Sequence, residues 1–193
     1  MRKKSIMVLL GLSLLIGVSG WVSWKFAGAP STEHSQTSAR TQTSAKFHPV
    51  PAPDVSFEVA GKKASISQYA GHKIMLWLFS TWCSSCEAGL KALAKHRLEL
   101  AQDGVTLIVL DNYKNDGYPG LTTDEFVQKV APELESTSGW IFGTASKTLA
   151  ETYNPKGFPD IYFLIDSKGL IQAVSGSPNV TMQKILRFAK TGQ

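Results

Sequence analysis

An α/β sandwich with a mixed central sheet is the fold predicted for residues 54–193, on three observations. Apolar runs of strand length, such as residues 73–80 (K-I-M-L-W-L-F-S) and 105–110 (V-T-L-I-V-L), alternate with stretches of helical period. These runs are almost unbroken, as expected for strands covered on both faces. The chain then closes with two strand-like stretches around Asp166-Ser-Lys-Gly169, a hairpin turn that makes the sheet mixed.

Taken in order, residues 55–59 and 63–66 flank Gly61 and predict a first hairpin. Residues 73–80 predict a buried strand. Residues 84–101 predict a helix whose apolar stripe is Cys86, Leu90, Leu93, Leu98 and Ala101, stopped by Asp103-Gly104. A second buried strand follows at 105–110. Helices are expected over 123–130, capped by Thr122 or Thr123, and over 145–153. Residues 161–165 and 170–174 form the closing hairpin, and 180–189 a last helix. A segment of this size buries its own core.

The net charge of +5 lies outside this domain. Residues 1–53 hold six Lys/Arg and one Asp/Glu, whereas residues 54–193 hold fourteen of each. The domain therefore carries no electrostatic footprint for DNA or RNA, and no nucleic-acid partner is expected. Within residues 1–27, Arg2, Lys3 and Lys4 precede twenty uncharged residues, 5–24. As a helix these span about 30 Å, enough for an N-terminal membrane anchor with its basic flank in the cytoplasm. Trp21 and Trp24 fall at the outer interface. A cleaved signal peptide is the competing reading, because Ala27-Gly28-Ala29 resembles a cleavage site. Against it, the run exceeds a usual signal core and Pro30 would follow the cut. No cysteine follows the run to carry a lipid. Either reading puts the domain outside the cytoplasm, where thiols can stay oxidised. The chain is then a single-pass protein of the cell membrane, or periplasmic or secreted. Residues 28–53, rich in Ser, Thr, Ala and Gln and ending in Pro49, Pro51 and Pro53, read as a flexible linker spanning about 25–30 Å.

The chain has two cysteines, Cys83 and Cys86, in T-W-C-S-S-C. A structural staple closing so short a loop contributes only about 1.9 kcal/mol in the chain-entropy picture. A structural zinc site wants four ligands, and no two of His34, His48, His72 and His96 are close in sequence. A two-coordinate Cu(I) thiolate site is the form of metal binding that remains. Glu87 after Cys86 excludes a haem attachment motif. A reactive pair fits the local pattern. Cys83 opens a helix, where the dipole and free N–H groups favour a thiolate, the form that attacks a disulfide. Cys86, three residues on, belongs to the apolar stripe. The expectation is an exposed attacker and a buried resolver. Glu87 would oppose a thiolate at Cys83.

W-C-S-S-C after a buried strand, joined to the hairpin segment P51-A-P-D-V-S-F-E-V-A-G-K-K and to Y153-N-P-K-G-F-P-D-I-Y-F-L-I-D, resembles the thioredoxin superfamily. The resemblance covers residues 51–190 and is to the membrane-anchored TlpA/ResA-like branch. It implies a thioredoxin-like three-layer α/β/α sandwich with Cys83 and Cys86 as the redox-active centre. It also implies a cis peptide between Phe158 and Pro159, opposite Cys83, with the Phe158 backbone pairing with an extended substrate. Phe158 is bulkier than the residue relatives carry there, and reads either as packing or as a wall of the substrate groove. Trp82 is expected to cover the site and line the contact surface. Two family carboxylates are missing: Trp77 stands six residues before Cys83, and Gly89 three after Cys86. Glu87 or Asp111 are the candidate substitutes, and Trp77 reads as core. The polar stretch D111-N-Y-K-N-D-G-Y-P-G-L121 reads as a surface loop or as a docking loop beside the site.

The resulting expectation is a thiol–disulfide oxidoreductase that reduces disulfides of client proteins and is recharged by a membrane electron donor. Apocytochromes, secreted proteins and oxidised repair enzymes are candidate clients, which brings cytochrome c biogenesis into view. No cofactor beyond the Cys83–Cys86 disulfide and no metal are expected. The rivals are a disulfide-introducing oxidase and a Cu(I) carrier using the same thiols.

Overall fold

A computed structural model describes residues 47–193. The expected anchor and most of the expected linker lie outside the described residues. Among those described, no helix is long and apolar enough to cross a membrane.

Among the described residues, eight strands and five helices follow in the order β1 Val50–Pro51, β2 Ser56–Val59, β3 Lys62–Ser65, β4 Lys73–Phe79, α1 Ser84–Lys95, α2 Arg97–Gln102, β5 Val105–Asp111, α3 Thr123–Val130, β6 Trp140–Ala145, α4 Lys147–Tyr153, β7 Asp160–Ile165, β8 Leu170–Ser175 and α5 Pro178–Thr191. Short 3-10 turns lie at Ile66–Tyr69, Tyr113–Gly117 and Pro132–Leu134. The strands form one sheet, ordered β1-β8-β7-β4-β5-β6-β2-β3. Strands β4, β5 and β6 are parallel, and β7, β8, β1, β2 and β3 join antiparallel.

Strand alternation divides the core. Met75, Trp77 and Phe79 of β4 face α1, α3 and α5. Ile74, Leu76 and Leu78 face α4 and the turn at Ile66–Tyr69. Each is fully or almost fully buried, and such a side chain contributes roughly 1.5–3 kcal/mol. Layers on both sides explain why β4 and β5 are unbroken apolar runs. The fold is thioredoxin-like.

Four differences from the sequence reading have local causes. The helix expected over 84–101 breaks at His96, whose N–H bonds the Leu93 carbonyl three residues back. Leu98 is 64 % exposed, because five residues past Leu93 the side chain lies about 140° off the stripe. Leu100, seven past Leu93, is the residue that returns to the core. Strand β6 was hidden by Gly143, and Ala145 ends that strand rather than opening a helix, which Ser146 caps instead. Gly143 is required: a Cβ there would stand 2.1 Å from the Glu58 carbonyl of β2. Val50–Pro51, in the stretch read as linker, pair with Leu170 and Ile171 at the sheet edge, and Pro51 suits such an edge.

Candidate active site

Parallel strands β4 and β5 deliver their C-terminal ends to one edge of the sheet, and α1 starts there. Cys83 is the N-cap of α1, with extended backbone (φ −88, ψ 119). Its carbonyl accepts the N–H groups of Cys86 and Glu87. Both cysteines are free thiols. Cys83 is 8 % exposed and Cys86 0 %. Cys83 is thus more covered than the exposed residue expected there, and Cys86 is the more deeply buried of the two.

Cys86 Sγ donates to the Pro159 carbonyl at 3.0 Å. Burial first, and then its hydrogen bond with Cys83, holds the Cys86 thiol far above its ordinary range. The nearby Asp160 charge acts in the same direction, and a hydrogen bond from the Ser80 backbone opposes it. Burial of this kind favours the protonated thiol.

Cys83 Sγ lies 3.0 Å from Ser85 Oγ. Ser85 Oγ donates to Asp160 Oδ2 at 3.0 Å, and Trp77 Nε1 donates to Asp160 Oδ1 at 2.9 Å. Trp77 is core, as expected, but its indole N–H also orients a carboxylate. The two missing family acids become one observation. A Cβ on Gly89 would lie 3.2 Å from the Trp77 ring and 3.0 Å from Pro178 Cδ, so that ring already fills the space at residue 89. The carboxylate that reaches this region is Asp160, the first residue of β7. Glu87, by contrast, turns outward and pairs with Lys91, whose ammonium holds its carboxyl below the usual range. Asp111 has a buried Oδ1 without a hydrogen-bond partner. Neither is hydrogen-bonded to a cysteine among the contacts of the described residues.

The rim is a buried polar network that sequence reasoning missed. Asn112 Nδ2 donates to Ser80 Oγ, Asp116 Oδ2 and the Phe158 carbonyl. Asn154 accepts the Phe158 N–H at Oδ1 and donates to the Phe158 carbonyl and to Asn112 Oδ1. This corrects two expectations. No peptide bond among the described residues is cis, so Phe158–Pro159 is trans. The asparagines hold the peptide unit before Pro159 in that form, the ordinary preference of an X–Pro bond. The same bonds occupy both the N–H and the carbonyl of Phe158, leaving no free backbone edge there for a substrate strand.

What the rim offers instead is side chains. Trp82 is 42 % exposed, donates its indole N–H to the Asn115 carbonyl and stands 4.7 Å from the Tyr118 ring. Phe158 is 48 % exposed, so its ring is half-buried beside Pro159 rather than a core residue. Tyr118 comes from the polar stretch after β5. Among the described residues, no cluster of three or more His, Cys, Asp or Glu is placed to hold a metal ion.

Asp160 was legible in principle: it opens β7 two residues before Tyr162, on a face that is otherwise buried and apolar. A carboxylate at such a place marks a partner inside.

Residues 49–174 match the AhpC/TSA family. The chain is 26 % identical over 166 residues to the thioredoxin-like protein YneN of Bacillus subtilis, covering 84 % of each chain. Among solved structures it is similar to a putative thiol:disulfide interchange protein DsbE from Chlorobium tepidum. There the TM-score is 0.56 and identity 17 %, over 73 % of this chain and 96 % of that one. A SCO1/SenC family lipoprotein from Bacillus anthracis gives a TM-score of 0.55 and 18 % identity, over 74 % and 95 %. At such identities the structural likeness concerns the fold.

Proposed function

Because the chain belongs to the AhpC/TSA family and carries a thioredoxin-like fold with a dithiol at a helix start, we propose that it is a thiol–disulfide oxidoreductase of the TlpA/ResA-like kind. Its work is to reduce disulfides of client proteins outside the cytoplasm, from a membrane tether at residues 1–27. The observation that supports this reading is the unequal pair: Cys83 keeps a small exposure, 8 %, at the helix cap, and Cys86 has none.

Cys83 sulfur attacks one sulfur of a client disulfide. A Cys83–client bond forms, the client bond breaks, and the departing client sulfur takes up a proton. Cys86 then attacks Cys83 Sγ. The Cys83–Cys86 bond forms, the proton given up by Cys86 passes to the second client sulfur as it leaves, and two electrons and two protons have passed to the client. A membrane dithiol donor reverses the change on the protein. The tether keeps donor and client within reach by raising effective concentration. Trp82, Tyr118 and Phe158 give an aromatic landing surface around Cys83, and Pro159 seats the carbonyl that Cys86 faces.

The test is reduction of insulin disulfides, with adduct capture. Cys83→Ser abolishes turnover. Cys86→Ser retains attack but not release, so it accumulates a mixed disulfide with its client, identified by mass spectrometry. A chain that binds Cu(I) tightly through both thiols and reduces no disulfide is the carrier instead. A potential near −120 mV, the range of strong oxidants, makes it the oxidase.

A further inference from the structure

Among the described residues, Asp160 is the carboxylate hydrogen-bonded to Ser85 beside Cys83, and its two oxygens are committed. Trp77 Nε1–H, which can only donate, fixes Oδ1. Ser85 Oγ is 3.0 Å from Oδ2. A carboxylate only accepts, so the hydrogen between them belongs to Ser85. That settles the other contact of the serine. With its single hydrogen spent on Asp160, Ser85 Oγ has only lone pairs for Cys83 Sγ, 3.0 Å away. The serine therefore accepts from the thiol of Cys83 and has no hydrogen to give to a sulfur bearing negative charge. The Asp160 charge also disfavours negative charge on the neighbouring Cys86.

Stabilising the reduced pair makes a dithiol couple a stronger oxidant, and withholding that stabilisation makes it a reductant. We infer that Asp160 is a positioning residue which, through Ser85, keeps the Cys83–Cys86 couple reducing. This rests on the exchange reading above and adds the residue that sets its direction. The assignment is specific to this chain's packing. Asp160 is held by Trp77, whose ring packs close against Gly89.

The experiment is equilibration of the full chain with reduced and oxidised glutathione at fixed pH. Two glutathione thiols give one glutathione disulfide as the Cys83–Cys86 bond opens to two thiols. In Asp160→Asn the Asn oxygen still accepts from Trp77, and its amide now donates to Ser85. The serine hydrogen is then free to turn to Cys83. The expected shift is about tenfold toward the dithiol, a potential about 30 mV less negative. In a Ser85→Ala background the same change removes only the charge, and the shift falls to about threefold or less. Asp160→Ser, smaller and also neutral, moves the equilibrium in the same direction and carries the test if the Asn variant does not fold. An unmoved equilibrium, or one shifted toward the disulfide, overturns the inference alone if the parent pair exchanges normally. An equal shift with and without Ser85 overturns the route through the serine. A parent pair that never exchanges with glutathione overturns the exchange reading and this inference with it.

Discussion

Asp111 shows how one side chain carries the cost of the site's architecture. It ends β5 beside the loop that frames the cysteines, is 9 % exposed, and has an unpartnered oxygen. Burial, helped by the Asp116 charge and opposed by the Asn112 backbone N–H, pushes its carboxyl from 3.8 up to about 7. The unfolded chain releases this proton near pH 4, while the folded chain keeps it until about pH 7. Over that window the unfolded state binds fewer protons, so this group's contribution to stability falls as pH rises and is flat above. The loss is a few kcal/mol at most. Asp111→Asn removes the charge. Its gain over the parent in urea unfolding is expected to be near zero at pH 4 and about 1–3 kcal/mol at pH 8. A gain independent of pH would show that the carboxylate is not what strains the site.

At the scale of elements, the segment after β5 is the unusual piece. Lys114, Asn115 and Asp116 are left-handed in succession, with φ of 54, 51 and 56, a conformation costing roughly 1–2 kcal/mol per side-chain-bearing residue. Side chains hold it. Asn115 accepts the Thr81 N–H and donates to Thr81 Oγ1 and the Tyr118 carbonyl, while Asp116 accepts from Ser80 and Asn112. The turn in this way locks the loop that carries Trp82 to the loop that carries Tyr118. Asn115→Ala is expected to lower stability by about 2–3 kcal/mol and to alter Trp82 fluorescence. Asn115→Gly loses the same bonds but relieves the backbone, so it should lose less. Equal losses would mean the backbone is unstrained. This element also marks the limit of the sequence. The strands β4, β5, β7 and β8, the hairpin and the CxxC helix were legible because apolar period and turn residues act locally. The loop was legible only as polar. Its left-handed turn, the Asn112–Asn154 clasp and the trans Phe158–Pro159 bond depend in part on contacts across 32 to 46 residues, which no local pattern encodes. Asp160 and Ser85 stood in plain view, but their roles require knowing that β7 lies beside β4.

For the whole molecule, the potential of the pair and the stability of the fold are one quantity seen twice. A cycle connects folded and unfolded chains, each with the pair as dithiol or as disulfide. Whatever the fold does to the potential it must do, with equal size, to the unfolding free energy. If the fold makes the pair more reducing than in an unfolded chain, it favours the disulfide, and the oxidised protein is the harder to unfold. An oxidase shows the opposite order, because its fold stabilises the dithiol. The contacts point to the first case: the Ser85 hydrogen is directed to Asp160, Cys86 is sealed from water, and Asp160 brings negative charge beside Cys86. A difference of about 30–60 mV corresponds to about 1.4–2.8 kcal/mol. Urea unfolding of the disulfide form and of the form kept in dithiothreitol should therefore separate by that amount, the disulfide form being the more stable. Asp160→Asn should narrow the gap by about 1.4 kcal/mol, the same change its glutathione equilibrium records. A dithiol form more stable than the disulfide form would reverse the sign of the couple and make the protein a donor of disulfides.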